Sequence, residues 1–291
     1  MTRIAITGYA SLDHVAMLDG VPQAGRTTTI LDRPQHAWPR LGGSPAYVAA
    51  ALVANGVPDA IPVSWIGADE AGEDYRRQLA QRRIPVEGIA VVDGARTPMA
   101  ILAYEPEGGC VCLYHPGMPK TLALTSVQEN LIAVADWVCV TIGPPAAAEA
   151  VLATIGDKAK LAWIVKHDPR AMSLDLATRI AERADLIFCS KAEASLLQDA
   201  LAAASRDKPG PITIETHGGS GALIKSGEGE SFVAAVAMSV SDPTGAGDTF
   251  AGGVLAAIAK GETDPTAIVE AGHRAARMLL DGRRTAEKES A

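Results

Sequence analysis

The chain has 291 residues and a mass of 30.1 kDa, which at roughly 100–200 residues per domain means one large domain or two modest ones. Apolar residues make up 48 % and charged residues 21 %, enough for a sizeable core and against disorder. The 26 Lys and Arg against 34 Asp and Glu give a formal charge of −8, which excludes nucleic acid or an anionic membrane as a partner across the whole surface; aromatics at 4 % are too few for repeated base-stacking platforms.

In chain order, β-rich runs alternate with Ala-rich helical stretches. Strands are predicted over 3–7, 61–66, 137–142, 161–166, 186–189 and 212–215. Several are continuous apolar runs, the pattern of strands buried on both faces of a parallel sheet. Helices are predicted over 45–54, 70–83, 126–134, 146–155, 174–184, 192–203, 249–260 and 266–280. This alternation implies an α/β layered fold with right-handed crossovers. Residues 222–225 and 231–236 read as an antiparallel edge hairpin. Segments 13–40 and 89–116 carry β-branched runs, Pro and Gly without helical period, and read as a small second sheet. The main domain is then 1–12, 41–88 and 117–291, and the polar tail 281–291, with Arg283 and Arg284, is expected to be frayed and solvated. The N-terminal apolar run is too short for a signal-peptide core, and no apolar stretch reaches membrane-spanning length. Cys110, Cys112, Cys139 and Cys189 match neither a zinc nor a CxxC spacing and are expected to be buried thiols in a reducing cytoplasm. The six histidines, His14, His36, His115, His167, His217 and His273, show no ligand spacing.

The strongest chemical signal is Asp242-Pro243-Thr244-Gly245-Ala246-Gly247-Asp248. Phe250, Val254 and Ile258 repeat at helical spacing, so a helix starts near Asp248. Gly245 to Gly247 then form a bare turn where backbone N–H groups and the positive helix end meet, an anion site. Asp248 there could cap the helix or hold a carboxylate beside a bound phosphate; a plain capped helix after a glycine turn suits the same residues. Gly42-Gly43-Ser44-Pro45 precedes another helix, with Ser44 a plausible N-cap, and serves either as a ligand contact or as a simple turn. Asp13 lies just past the first strand, where ligands of open α/β sheets bind, and is a candidate hydroxyl binder or a turn residue. No Gly-x-Gly-x-x-Gly, Walker or protein-kinase set occurs.

Together these elements resemble the ribokinase-like family of ATP-dependent small-molecule kinases, the PfkB carbohydrate kinases, over nearly the whole chain. The family's Asp-x-x-Gly-Ala-Gly-Asp-x-Phe stands intact at 242–250. The glycine pair matches Gly42 and Gly43. Pro22-Gln23-Ala24-Gly25, Gly67-Ala68-Asp69-Glu70-Ala71-Gly72 and Thr216-His217-Gly218-Gly219-Ser220-Gly221 resemble its other segments. The resemblance implies a three-layer sandwich with a mainly parallel central sheet, the small inserted sheet acting as a lid over the substrate site. It implies Asp248 as general base and the N–H groups of Gly245, Ala246 and Gly247 as the anion hole. Asp13, Gly42 and Gly43 would hold acceptor hydroxyls. Ser190, Thr216, Gly218 and Gly221 would line the ATP site, and Glu193 would meet Mg²⁺ through water. Asp242 and Thr244 match positions that in some members supply a monovalent-cation site. The C-terminal loop that completes that site is nearly absent here, which weakens the case for potassium.

Departures matter too. Ser190 stands where the family usually has Asn, and His167-Asp168-Pro169-Arg170 lacks another family Asn. Tyr47 replaces an Asn that contacts sugar; a phenol would stack on a ring face better than it would clasp two hydroxyls, or would simply pack within the helix. The implied function is an ATP-dependent kinase placing the γ-phosphoryl on a hydroxymethyl group of a sugar. The alternatives are a nucleoside kinase of the same family or a non-catalytic sugar- or nucleotide-binding sensor. The expected partner is the small-molecule acceptor, with pairing of two copies through the lid as a further expectation.

Overall fold

A computed structural model of the chain describes residues 2–33, 38–119, 121–206, 209–238, 240 and 242–290, with side chains to residue 285; His36 lies outside the described residues. The elements run β1 (Ile4–Thr7), β2 (Ser11–Leu18), β3 (Ile30–Asp32), β4 (Arg40–Gly42), α1 (Ser44–Ala54), β5 (Ala60–Gly67), α2 (Glu70–Gln81), β6 (Ile89–Val92), β7 (Met99–Tyr104), β8 (Cys110–His115) and α3 (Ser126–Ala133). They continue with β9 (Trp137–Val140), α4 (Pro145–Thr154), β10 (Lys160–Ile164), α5 (Leu174–Arg183), β11 (Leu186–Ser190), α6 (Ala194–Ala203), β12 (Ile212–Thr216), β13 (Gly221–Ser226), β14 (Gly229–Ala234), α7 (Ala246–Ala259) and α8 (Pro265–Ser290).

The apolar runs form a nine-stranded sheet in the order β14-β13-β12-β11-β10-β9-β1-β5-β6. It is parallel from β6 to β12 and closes with the antiparallel β12–β13–β14 edge. Because strand side chains alternate, one face offers Ile4, Ile6 and Phe188 to a core shared with α1, α2, α7 and α8. The other face offers Ala5, Val138, Leu161 and Trp163 to α3–α6. The second sheet has the order β3-β2-β7-β8, with β4 on β2. It presents Val15, Ala100, Leu102 and Tyr104 as a small core of its own.

Several expected boundaries move. Ile89–Val92 pairs with β5 as the edge of the main sheet, so the excursion to the second sheet begins after it. Conversely, Arg40–Gly42 pairs with β2, and β2 itself starts at Ser11. Asp69 caps α2 through Gly72 N (2.9 Å) and also accepts from Thr97 N (3.0 Å). The segment 67–72 is thus a structural clamp that aims the chain into β7. Gly43, not Ser44, is the N-cap of α1, with no side-chain cap. The last helix does not fray at 281 but runs on to Ser290, because Val269, Gly272, Ala276, Leu279 and Arg283 keep a covered stripe at three- and four-residue steps. Cys139 and Cys189 are buried, but Cys110 and Cys112 are exposed on β8, against the expectation of four buried thiols. Among the described residues no helix is long and apolar enough to cross a membrane.

The two helices that carry the signature are set by glycine. A Cβ on Gly252 would lie 2.6 Å from Ala51 Cβ and 2.7 Å from Val48 O, and one on Gly253 2.6 Å from Ala275 Cβ. Helices α1 and α8 therefore approach α7 backbone to side chain. Gly252→Val is expected to destabilise the fold by about 1–3 kcal/mol through overpacking, read as a lower urea midpoint with unchanged slope. An unchanged midpoint would mean that α1 and α7 do not pack this closely.

Candidate active site

The signature turn is built as the sequence suggests, with two differences. Gly245 is the N-cap of α7 at φ 74°, ψ 0°, a left-handed conformation natural to glycine. A Cβ there would also strike the Tyr47 ring at 2.6 Å. The helix starts at Ala246, so Asp248 lies within its first turn and caps nothing. Ala246 N–H closes the turn on Pro243 O (3.0 Å) and is not free for an anion. The N–H groups of Gly245, Gly247 and Asp248 have no partner among the described residues, and the space beyond Gly247 is open. The donor set is therefore Gly245, Gly247 and Asp248 rather than the expected Gly245, Ala246 and Gly247.

Asp248 is 6 % exposed. Its Oδ1 is buried without a hydrogen bond, the Lys166 ammonium standing 3.2 Å away. Burial works against charge on Lys166, but the carboxylates of Asp248 and Glu193 outweigh it and hold the amine protonated above its ordinary range. Lys166 follows the last residues of β10, and Glu193 opens α6 beyond β11, so neighbouring strand ends deliver both. Glu193 Oε2 accepts Ser190 N–H at 2.7 Å. Ser190 pairs in register with Thr216, whose hydroxyl donates to Cys189 O at 3.3 Å. Gly218, at φ 58°, opens onto free space beside Gly219. Gly221 departs from the expectation: it is buried in the hairpin, where Val233 O lies 2.3 Å from any Cβ, so it shapes the edge and does not line a cleft.

On the other side of α7, Asp13 is 4 % exposed on the inner face of β2. Gly42 lets its carboxylate lie against β4, where a Cβ would sit 2.3 Å away. Ser11 Oγ donates to Asp13 Oδ1 at 2.6 Å. Burial raises the Asp13 pKa; Ser11, Arg40 and Arg283 counter it only in part, and Asp242 adds to it. Tyr47 is 8 % exposed, with its ring against Gly245 and its hydroxyl 3.5 Å from Asp13 Oδ2. Burial and the Asp13 charge push the phenol up to about 12. No open face of Tyr47 is left for stacking. Tyr9 and Tyr114 of β8 form an aromatic pair, ring centroids 6.2 Å apart, and Tyr114 shares the Ala100 register position with Asp13; burial first, then Tyr9 and Asp13, raise the Tyr114 phenol.

Behind the turn lies a cationic cluster not anticipated from sequence. Arg40 grips Asp242 through both terminal nitrogens, Nη2 reaching Oδ1 at 3.1 Å and Nη1 reaching Oδ2. The two residues are 6 % and 3 % exposed. Burial opposes ionisation of Asp242, yet Arg40 and Arg283 hold its carboxyl below the usual range. Thr244 N–H donates to Asp242 Oδ1 (3.1 Å), and Tyr104 of β7 shares a hydrogen bond with Thr244 Oγ1. Arg283, expected to be a solvated end, is half-buried here. Its Nη1 donates to Asp242 O (2.9 Å) and Thr244 O (2.7 Å), and Nη2 to Tyr47 OH (3.4 Å). Those oxygens, expected to hold a monovalent cation, are taken up by the guanidinium and do not suit an added ion. A Lys closing an apolar strand run, as at 161–166, and an Arg in register with the apolar stripe of α8 were the signals that could have marked Lys166 and Arg283.

Comparison with known proteins finds relatives along nearly the whole chain. The chain is 29 % identical over 259 residues, 88 % of its length and 84 % of the relative's, to a protein of Halopiger xanaduensis named ATP-dependent ribose-1-phosphate kinase. It is 25 % identical over 263 residues, 87 % of its length and 82 % of the relative's, to a nucleoside kinase of Methanothermobacter thermautotrophicus. The fold superposes on the Methanocaldococcus jannaschii nucleoside kinase, an archaeal member of the ribokinase family, with a TM-score of 0.76 at 21 % identity, covering 97 % of this chain and 92 % of the other. The model of the pfkB family carbohydrate kinases matches residues 1–290, and the chain belongs to that family.

Proposed function

We propose that this protein is an ATP-dependent kinase that phosphorylates the hydroxymethyl group of a ribose-type ring carrying a substituent, as in a nucleoside or ribose 1-phosphate. The observation that carries the reading is Asp248: a buried carboxylate whose Oδ1 faces the Lys166 ammonium at 3.2 Å, beside free N–H donors at a helix start. A protein that only sensed a ligand would have no need of such a base. The acceptor class is supported by the names of the two sequence relatives and by the Tyr9–Tyr114 pair, which offers an aromatic wall beside Asp13.

Phosphoryl transfer depends on positioning and charge neutralisation more than on covalent chemistry. Asp13 accepts hydrogen bonds from ring hydroxyls and so aims the hydroxymethyl oxygen at Asp248. Asp248 takes the hydroxyl proton as the oxygen bonds to phosphorus. The N–H groups of Gly245, Gly247 and Asp248 meet the oxygens of the transferring group, with the helix dipole behind them. Lys166 stands between Asp248 and Glu193 and neutralises the charge that gathers there. ATP lies along the ends of β11 and β12, past Ser190, Thr216 and Gly218. Among the described residues no three acidic, His or Cys side chains cluster as a metal site. Glu193, with one oxygen spent on Ser190 N–H, suits a magnesium ion carried by the nucleotide and met through water, where the ion supplies phosphate charge neutralisation.

A screen of ribose, fructose, ribose 1-phosphate and nucleosides by ADP release tests the reading; substituted ribosides are expected to outperform the free sugars, and no ADP with any acceptor would sink it. Asp248→Asn is expected to lower kcat by about 10²–10⁴-fold with the fold retained in circular dichroism, and retention of a tenth of kcat would remove Asp248 as the base. Glu193→Gln is expected to raise the magnesium concentration needed for half-maximal rate, with an unshifted magnesium titration as the contrary result. Asp13→Asn separates binding from stability. Acceptor kcat/KM should fall about 10–100-fold, the worth of hydrogen bonds to a charged group. The raised Asp13 pKa means its neutral form suits the fold better, so its favourable contribution is complete in acid and is lost as pH rises through the folded value. The Asn variant should therefore melt about 2–4 °C higher at neutral pH, a gap that closes as pH falls. A lower melting temperature at neutral pH would contradict this assignment.

A further inference from the structure

We propose that Arg283 is a built-in cation: its guanidinium holds the 242–245 turn in the way a bound monovalent ion would, and the enzyme needs no potassium. The inference rests on the kinase reading above. Three oxygens converge on one nitrogen, Arg283 Nη1: Asp242 O at 2.9 Å, Thr244 O at 2.7 Å and Asp242 Oδ2 at 3.4 Å. Carbonyl and carboxylate oxygens aimed at one point form the donor set of a hard cation, and their dipoles repel unless a positive centre lies between them. Here the positive centre is covalent. A potassium ion would have to occupy the position of Nη1 itself.

The guanidinium is fixed from its other side as well. Nη2 donates to Tyr47 OH at 3.4 Å, and the group lies 5.9 Å from the Tyr47 ring centroid. The side chain is 17 % exposed, and an arginine keeps its charge at any working pH. The effect reaches the transferring phosphoryl through one peptide plane. In a trans peptide the C=O and the next N–H point in opposite directions. Drawing Thr244 C=O toward Arg283 turns the Gly245 N–H away from it, and that N–H, like those of Gly247 and Asp248, has no partner among the described residues. Gly245, in its left-handed conformation, is the hinge that would relax if the pull were lost. Arg283 is thus a positioning residue.

The experiment compares wild type and Arg283→Ala in tetramethylammonium buffer, alone and with potassium, guanidinium or urea added. Wild-type kcat is expected to be the same with and without potassium. Arg283→Ala is expected to lose about 100-fold in kcat, the worth of one anion-hole donor, with KM for the acceptor little changed. Guanidinium or potassium should restore part of that loss; urea, of similar shape but uncharged, should not. Melting curves with ATP give a readout free of turnover: the ATP-induced shift should ignore potassium in wild type and grow with it in the variant. That measurement separates the two readings, because absence of turnover with every acceptor would count against the kinase assignment while the shift still reports on Arg283. Should Arg283→Ala fail to fold, the wild-type potassium comparison decides alone. Potassium activation of wild type, an unchanged kcat in Arg283→Ala, or a loss that neither cation restores would each overturn the proposal.

Discussion

Much of the molecule is arranged around one buried ion pair, Arg40 with Asp242. Neither residue has appreciable contact with water, and removing one partner of such a pair leaves a buried charge that costs about 3–5 kcal/mol. The pair joins the second sheet, through β4, to the turn that precedes α7. Tyr104 of β7 reinforces the join at Thr244. Since β4 also brings Gly42 against Asp13, one electrostatic contact sets the Asp13 carboxylate in register with the turn that precedes α7. The depressed Asp242 pKa means this support is present above the carboxylate's unfolded value and is lost as pH falls through the folded one.

Two buried carboxylates near the same turn thus have opposite surroundings. Asp242 has Arg40, Arg283 and a backbone N–H and is fully compensated. Asp13 has a serine hydroxyl and a distant phenol and is not. The difference fits the proposed division of labour, in which a satisfied carboxylate holds structure while an under-satisfied one gains from an incoming hydroxyl. Asp248 is intermediate, with a lysine alongside but no hydrogen bond at its buried oxygen.

The sheet and its helices were legible because buried parallel strands write themselves as apolar runs, and 137–140 and 186–190 were placed within a residue or two. The glycine turn was legible because 242–250 carries local conformational demands. Partners distant in sequence were not. Nothing near Arg40 signals that Asp242 lies opposite. The polar letters around Arg283 read as a solvent-facing tail, and only the three- and four-residue stripe of α8 contradicts that. For Tyr47 stacking on a ring and packing in the fold were both left open, because a substitution at one position says nothing about which way a ring turns, and the ring turned under Gly245. Gly221 was read as a ligand contact, yet its backbone demand comes from the neighbouring strand.

The reach of Arg283 across 39 and 41 residues to Thr244 and Asp242, while Asp242 in turn waits for Arg40, bears on the order in which the protein is made. A growing chain acquires Asp13 and the glycine pair early and the base late. The carbonyls of the turn find their cation only once the last helix has emerged and packed along α7. The geometry of this turn therefore depends on the docking of α8.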